Sequence, residues 1–340
     1  MARVGIVGAS GYGGAELVRL LDGHPDLEVE TLAAHSGAGT PVADLFPNLQ
    51  GRGRFDAIDV DALGRLDLVF VATPDGPALD LVPDLVAAGT RVVDLSAAHR
   101  LPAEDYATFY GQAHPRPDDT PAVYGLTEFA RDRVADATVV ANPGCYVTTA
   151  LLSLVPVASL LDLSTLVVDG KSGTSGAGRG VSDRMHVSHV TASITAYGVP
   201  GHRHTGEIEV HLGLLGEVDR PTITFTPHLV PMVRGLLTTS VARLADGVMG
   251  DDLRDALETR YADEPFVTVL PAGTQPVTKA VAGSNSAQVA VEVDDRTGRA
   301  TLTSVTDNLV KGAAGQAVQN ANMMLGLDER AGLPTVGTYP

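Results

Sequence analysis

The feature that most restricts the fold of this chain stands near its start. Arg3-Val4-Gly5-Ile6-Val7, an apolar run of strand type, leads directly into Gly8-Ala9-Ser10-Gly11-Tyr12-Gly13-Gly14 and then into a stretch ending at Leu21 whose apolar residues recur at helical spacing. A buried strand that turns on glycines into a helix is the first unit of a parallel, doubly wound sheet. Glycines at 8, 11 and 14 let the backbone approach a pyrophosphate, and the helix N-terminus supplies amides and positive potential to hold it. A dinucleotide is therefore the expected ligand, with Gly8, Ser10, Gly11, Tyr12, Gly13 and Gly14 at the loop.

The alternation continues. Leu27 to Ala34, Asp67 to Thr73, Arg91 to Leu95 and Thr138 to Ala141 read as strands, and Pro77 to Ala88 as a helix between them. With 4% aromatic residues and no Trp, the cores must be built from Ala, Val and Leu, which suits helices packed on parallel strands. Beyond residue 145 the grammar changes. Thr222 to Pro227, Leu236 to Leu244, Gln288 to Asp294 and Ala300 to Thr306 alternate in strand fashion, with a turn at Asp295-Arg296-Thr297-Gly298. The expected architecture is α/β. A Rossmann-type dinucleotide-binding domain covers residues 1–145, an α+β domain with a mixed sheet covers 146–309, and a small-residue helix over 310–326 returns to the first domain.

An NAD-specific site usually carries Asp or Glu at the end of the second strand, where it binds the ribose 2′-hydroxyl. Here that place reads Ala33-Ala34-His35-Ser36-Gly37. With no carboxylate to repel a 2′-phosphate and Ser36 able to donate to one, the expected cofactor is NADP(H).

The single cysteine, Cys145, cannot form an internal disulfide, so it is a small buried hydrophobe or a reactive thiol. Its setting favours the second. It follows Asn142-Pro143-Gly144 at a junction of strand and helix, where unpaired amides and the helix dipole stabilise a thiolate. A nucleophilic thiol needs an acid/base partner. Gly201-His202-Arg203-His204-Thr205-Gly206-Glu207 offers two histidines and a carboxylate at the start of a helical run; His204 is the favoured partner, with His202 in reserve and Glu207 to orient the ring and stabilise its charged form.

Other signals are weaker. His-x-His at 202–204 could present two metal ligands, but neither a second cysteine nor His-Glu-x-x-His is present, so no metal is expected. Gly170-Lys171-Ser172 suggests a phosphate-cradling P-loop, yet the glycine that motif requires five residues before its Gly-Lys pair is Thr165; the glycine-rich stretch to Gly180 reads instead as an amide-rich loop beside a charged ligand. Arg100, just past a strand in Asp94-Leu95-Ser96-Ala97-Ala98-His99-Arg100, has a planar fork matched to phosphate oxygens.

Composition excludes partners. A formal net charge of −17 opposes nucleic acid and acidic membrane surfaces. The chain contains neither a signal-type apolar segment behind its start nor a run of about 18 apolar residues, which points to a cytoplasmic protein without a membrane partner.

Five motifs together carry a resemblance: Gly-Ala-Ser-Gly-Tyr-Gly-Gly at 8–14, Asp-Leu-Ser-Ala-Ala-His-Arg at 94–100, Asn-Pro-Gly-Cys-Tyr at 142–146, His-Arg-His-Thr-Gly-Glu-Ile at 202–208, and Asp-Asn-Leu-Val-Lys-Gly-Ala-Ala-Gly-Gln-Ala at 307–317. In this order they resemble the N-acetyl-γ-glutamyl-phosphate reductase family of the semialdehyde dehydrogenase superfamily. The resemblance implies an oxidoreductase of arginine biosynthesis, an amino-acid biosynthetic route. Its members reduce N-acetyl-γ-glutamyl phosphate with NADPH to N-acetylglutamate 5-semialdehyde and phosphate, through a cysteine thioester, in a cytoplasmic homotetramer. By the family pattern Cys145 is the nucleophile and His204 the acid/base, supported by Glu207. Ser172 and Gly173 would line the cofactor, Asn308 would approach the nicotinamide, Arg100 would bind the acyl phosphate, and Asn142 and His202 would lie beside the substrate. The family more often has Asp-Phe-Arg where this chain has Ala98-His99-Arg100. Rival readings are an aspartate-semialdehyde dehydrogenase, a reductase of an aminoadipate phosphate on a carrier protein, and a dinucleotide-sensing regulator without chemistry. The last has no need of both Cys145 and the His202 to Glu207 cluster.

Overall fold

A computed structural model, which describes residues 1–111, 113–116 and 121–339, divides the chain into two compact units. The first comprises residues 1–106, 112–143 and 313–333, and the second residues 107–111, 144–312 and 334–340.

The first unit is built on six strands: β1 (Ala2–Val7), β2 (Leu27–Ala33), β3 (Leu68–Val71), β4 (Arg91–Asp94), β5 (Val123–Tyr124) and β6 (Val139–Ala141). They run in the order β2-β1-β3-β4-β6-β5, every pair parallel. Parallel strands are covered on both faces. Accordingly Val4, Ile6, Val69, Phe70, Val92 and Val93 are all fully buried. The order reverses direction between β1 and β3, so a crevice opens beyond their carboxyl ends, the usual ligand position in such sheets. The helix Tyr12–Leu21 leaves β1 at this point and buries Leu17, Val18, Leu20 and Leu21.

The second unit holds a seven-stranded sheet of β7 (Leu161–Ser172), β8 (Thr195–Ala196), β9 (Thr224–Leu229), β10 (Leu236–Leu244), β11 (Val267–Val269), β12 (Ala287–Asp294) and β13 (Arg299–Thr306), in the order β11-β12-β13-β10-β7-β9-β8. β7 with β9 and β11 with β12 are parallel, and the remaining pairs are antiparallel. This is the mixed sheet that the alternation implied. The hairpin between β12 and β13 turns at Gly298, whose φ of +64° lies in the left-handed region that glycine enters without strain. Against the sheet lies the helix Cys145–Leu154, with Val147, Ala150, Leu151 and Leu154 fully buried. Truncating one of these leucines to Ala would cost about 2–5 kcal/mol. The first residue of that helix thus stands on a rigid base.

Two stretches depart from the sequence reading. The glycine-rich run read as a loop from Gly170 begins inside β7, which extends to Ser172 because Gly170, Lys171 and Ser172 pair with both β10 and β9. The C-terminal helix is not uniform: Val310–Ala314 forms a single π-turn, and the α-helix proper is Gly315–Met324. Amide side chains hold that α-helix in the first unit. Gln316 Nε2 donates to the Gly125 carbonyl and to Thr127 Oγ1, and Asn320 Nδ2 donates to the Gly125 carbonyl and to Asn142 Oδ1.

Candidate active site

In the first unit, the loop after β1 owes its shape to its glycines. Gly8 has φ +86°, and a Cβ there would lie 2.4 Å from the carbonyl oxygen of Ala72, just beyond β3. A Cβ on Gly14 would lie 2.5 Å from the Gly8 carbonyl oxygen. Only glycine permits this turn and the close approach of the helix to it. Gly11 caps the helix in an extended conformation with no side-chain acceptor, and a Cβ on Gly13 would meet nothing within 4 Å. The uncapped first turn is thus an open cradle of the kind that accepts a phosphate. Tyr12 is exposed at its edge. Past β2, Ser36 is exposed, and a Cβ on Gly37 would be 3.3 Å from the Ser10 Cβ, so the two loops adjoin. The fold adds a residue that the sequence reading missed. Residue 54 bridges antiparallel to Pro41, and Arg54 Nη1 donates to the Gly39 carbonyl at 2.6 Å, bringing a guanidinium to the loop after β2.

Arg100 is nearly buried in the same unit. Its Nε donates to the Asn142 carbonyl at 2.8 Å and one Nη to the Leu95 carbonyl at 2.7 Å. Asn142 is itself engaged: its Nδ2 donates to the Ala313 carbonyl and its Oδ1 accepts from Asn320. It therefore serves as a brace that presents its backbone carbonyl to Arg100. Asp94 organises the turn before them, accepting from Ser96 N, Ser96 Oγ and His99 Nδ1.

The second unit contains a cavity of about 220 Å³ whose lining includes Cys145, Ser172, Gly173, His202 and His204. These were singled out from widely separated motifs, and the sheet brings them together. Cys145 is the first residue of its helix and half-buried. The preceding residue, Gly144, is extended and has no side-chain cap of its own; its N–H donates at 2.8 Å to Oε1 of Glu207, which is fully buried. Glu207 therefore ties the helix that begins at His204 to the turn that carries the cysteine. Behind the cysteine, Thr149 Oγ1 donates to the Cys145 carbonyl and bonds Thr306 Oγ1 on β13.

His202 and His204 adjoin at the start of the His204–Gly216 helix. Nδ1 of His202 accepts the backbone N–H of His204, the first residue of that helix, at 3.1 Å, a bond that needs that nitrogen unprotonated. Burial lowers its pKa from 6.5 to about 4, the Arg203 guanidinium adds to the effect, and Glu207 opposes it. Its ring meets those of His204, Tyr197 and Phe225 edge-on at 4.8, 5.4 and 5.5 Å between centroids. Burial thus favours the neutral form of His202, which packs against aromatic rings.

Asn308 lies behind the cavity. Its Oδ1 accepts from Gly235 N and its Nδ2 donates to Ser175 Oγ, so its amide fixes the turn that follows Ser172 and Gly173. The sequence reading gave no role to Tyr146, Arg184, Met185 or Tyr197, which also line the cavity. Tyr146 follows the cysteine directly, and its OH donates to the His228 carbonyl at 2.9 Å and accepts from Tyr197 OH at 3.4 Å. Burial raises both phenol pKa values, which keeps them protonated near neutral pH. Tyr146 was legible as a neighbour of Cys145; Arg184 and Tyr197 carry no local signal. Among the described residues, no group of three His, Cys, Asp or Glu side chains could hold a metal ion, and no helix is long and apolar enough to cross a membrane.

Comparison with known proteins places these features in a family context. Residues 3–137 match the semialdehyde dehydrogenase NAD binding domain, and residues 145–308 match the semialdehyde dehydrogenase dimerisation domain. N-acetyl-gamma-glutamyl-phosphate reductase from Brevibacillus brevis is 48% identical over 348 residues, covering 100% of both chains. The proteins of that name from Pseudomonas syringae and Pseudomonas aeruginosa are 48% and 47% identical, again over 100% of both chains. Among solved structures, aspartate semialdehyde dehydrogenase II from Vibrio cholerae superposes with a TM-score of 0.73 at 16% identity, covering 96% of this chain and 99% of that one. Aspartate semialdehyde dehydrogenase with NADP from Candida albicans gives 0.68 at 18% identity, covering 96% and 98%. At these identities the structural matches establish the fold.

Proposed function

Because the chain belongs to the N-acetyl-γ-glutamyl-phosphate reductase family, we propose that it reduces N-acetyl-γ-glutamyl phosphate to N-acetylglutamate 5-semialdehyde and phosphate in arginine biosynthesis, with Cys145 as the nucleophile. The observation that carries this reading is the shared cavity of Cys145 and His204, with the buried Glu207 holding the amide beside the cysteine.

The chemistry assigns a task to each residue. His204 takes the proton of the Cys145 thiol, and the thiolate attacks the acyl carbon. A C–S bond forms, the bond from carbon to the phosphate oxygen breaks, and phosphate leaves, giving a thioester. The reduced nicotinamide, when bound, supplies the hydride that brings this carbon to the aldehyde oxidation level. His204 then protonates the oxygen of the thiohemiacetal and recovers the proton as the C–S bond breaks, releasing the aldehyde and restoring the thiolate. His202, whose pKa burial lowers and whose Nδ1 accepts the His204 backbone amide, lines the substrate side and helps to position His204. Arg100 meets the acyl phosphate, and Asn142 holds Arg100 for it through its carbonyl.

The chain carries a nicotinamide dinucleotide-binding domain. NADP(H) is the form we assign to it. Gly8 to Gly14, with Ser10 and Tyr12, would hold the pyrophosphate, while Ser172, Gly173 and Asn308 would frame the nicotinamide. Ser36 and Arg54 would meet the 2′-phosphate. Arg54 supports this assignment because its guanidinium reaches the loop after β2, which has no local arginine. We also assign a cytoplasmic homotetramer. The match of residues 145–308 to a dimerisation domain supports self-association.

The reverse reaction tests the activity. N-acetylglutamate semialdehyde, phosphate and NADP should yield NADPH with the wild type, and Cys145→Ala should abolish the product. Undiminished turnover in the mutant would remove the thioester route, and the lack of phosphate-dependent turnover in the wild type would remove the acyl-phosphate reaction. Aspartate semialdehyde in the same assay should be a far poorer substrate.

A further inference from the structure

The Cys145 cavity has an unusual charge for this chain. The protein holds 41 Asp and Glu against 24 Lys and Arg, yet none of the residues lining the cavity is Asp or Glu, and two, Arg184 and Arg203, are arginines. Arg184 stands on the short turn Asp183–Met185 and is exposed to solvent. Its guanidinium carbon lies 5.5 Å from the centroid of the Tyr197 ring, a cation–π contact that places it over the cavity wall. Its neighbour Asp183 is bonded through its backbone carbonyl, which accepts from His186 N and faces His189 Nδ1. Among the described residues, no carboxylate pairs with Arg184.

A guanidinium held over an aromatic ring, unpaired, in a cavity that contains the nucleophile, is arranged to receive an oxyanion. We propose that Arg184 binds the α-carboxylate of the substrate and so selects N-acylated over free-amine substrates. The inference rests on the reading of the activity given above. An N-acylated γ-acyl phosphate presents only negative charge at its far end, because its nitrogen is an amide. A free amino acid derivative brings an ammonium beside its carboxylate. That ammonium would face Arg184 in a lining that includes no Asp or Glu, and the approach of two like charges is unfavourable. Met185 and Leu229, in the same lining, offer apolar contact to an acyl methyl group.

The test is the reverse reaction with N-acetylglutamate semialdehyde and with its α-carboxamide analogue, on wild type, Arg184→Gln and Arg184→Lys. Loss of one charge-assisted contact should raise KM for the semialdehyde about 10- to 100-fold in Arg184→Gln, with kcat within about threefold. KM for phosphate and for NADP should not change, Arg184→Lys should recover part of the loss, and the carboxamide should show the same KM with wild type and Arg184→Gln. Arg184 is exposed, so the substitution spares the core. An unchanged semialdehyde KM, or an equal rise for carboxylate and carboxamide, would overturn the proposal. A rise confined to phosphate would assign Arg184 to the phosphoryl group and overturn it equally. Failure of the wild type to turn over N-acetylglutamate semialdehyde would overturn the reading of the activity itself, and with it this inference.

Discussion

Adding one methyl group at Gly312 should disable Cys145 without touching it chemically. A Cβ on residue 312 would lie 2.9 Å from the Cys145 Cβ, 3.4 Å from its Cα and 3.2 Å from the Asp307 carbonyl oxygen. Against an optimum of about 3.5–4.0 Å between carbons, the closest contact overlaps by about 0.6–1.1 Å. Neither side yields easily. Gly312 N donates to the Asp307 carbonyl within the π-turn, and the Asp307 carboxylate is fully buried and accepts from Leu309 N, Val310 N and Gly283 N. Cys145 opens a helix whose following residues are buried, and its preceding amide is held by Glu207. Overpacking of this kind costs about 1–3 kcal/mol of stability. A displacement of about 1 Å at a nucleophile costs on the order of 10²-fold in rate. Gly312→Ala should therefore lower kcat about 100-fold in the reverse assay and slow iodoacetamide alkylation of Cys145, while NADPH binding, followed by cofactor fluorescence, stays within about twofold. Circular dichroism at the assay temperature should show a folded protein. Near-normal kcat and alkylation in that folded variant would refute the claim that the π-turn positions the thiol.

Two further outcomes follow from the charges. His202 is neutral in the folded protein down to about pH 4 but titrates near 6.5 when unfolded. The unfolded state therefore binds the extra proton between these values, and stability falls as pH drops through that window. The contribution between pH 7.5 and pH 5 is about 2 kcal/mol. His202→Asn, which can keep an acceptor for the His204 amide, should flatten the urea-unfolding stability over this range relative to wild type; an unchanged slope would contradict the assignment. His24, also lowered by burial, acts in the same direction and would remain as the residual slope. Arg54→Ala should weaken NADPH binding about tenfold and leave NADH binding unchanged, as expected for loss of one phosphate contact worth about 1.5–3 kcal/mol at most. An equal loss for both cofactors, measured by fluorescence titration, would show that Arg54 merely braces the loop.

The sequence alone determined what local chemistry can encode. Gly8, Gly11 and Gly14 between an apolar strand and an amphipathic helix allow few conformations besides the dinucleotide turn, and the alternation of β10, β12 and β13 is a pattern of period two that reports burial directly. The motifs around Cys145 and His204 were legible for the same reason, since helix starts announce themselves in a few consecutive residues. Tertiary structure decided what depends on pairing between distant segments. That Gly170–Ser172 is strand rather than loop follows from hydrogen bonds to β10 and β9, which no window of sequence contains. The choice between His202 and His204 was open in the sequence, because both are histidines at a helix start. Folding gives the two rings different partners: Nδ1 of His202 accepts the backbone amide of His204, and its ring packs on Tyr197 and Phe225. Arg54 at the cofactor loop and Arg184 over Tyr197 are ordinary surface arginines in the sequence, and they acquire their meaning only where the chain folds back upon itself.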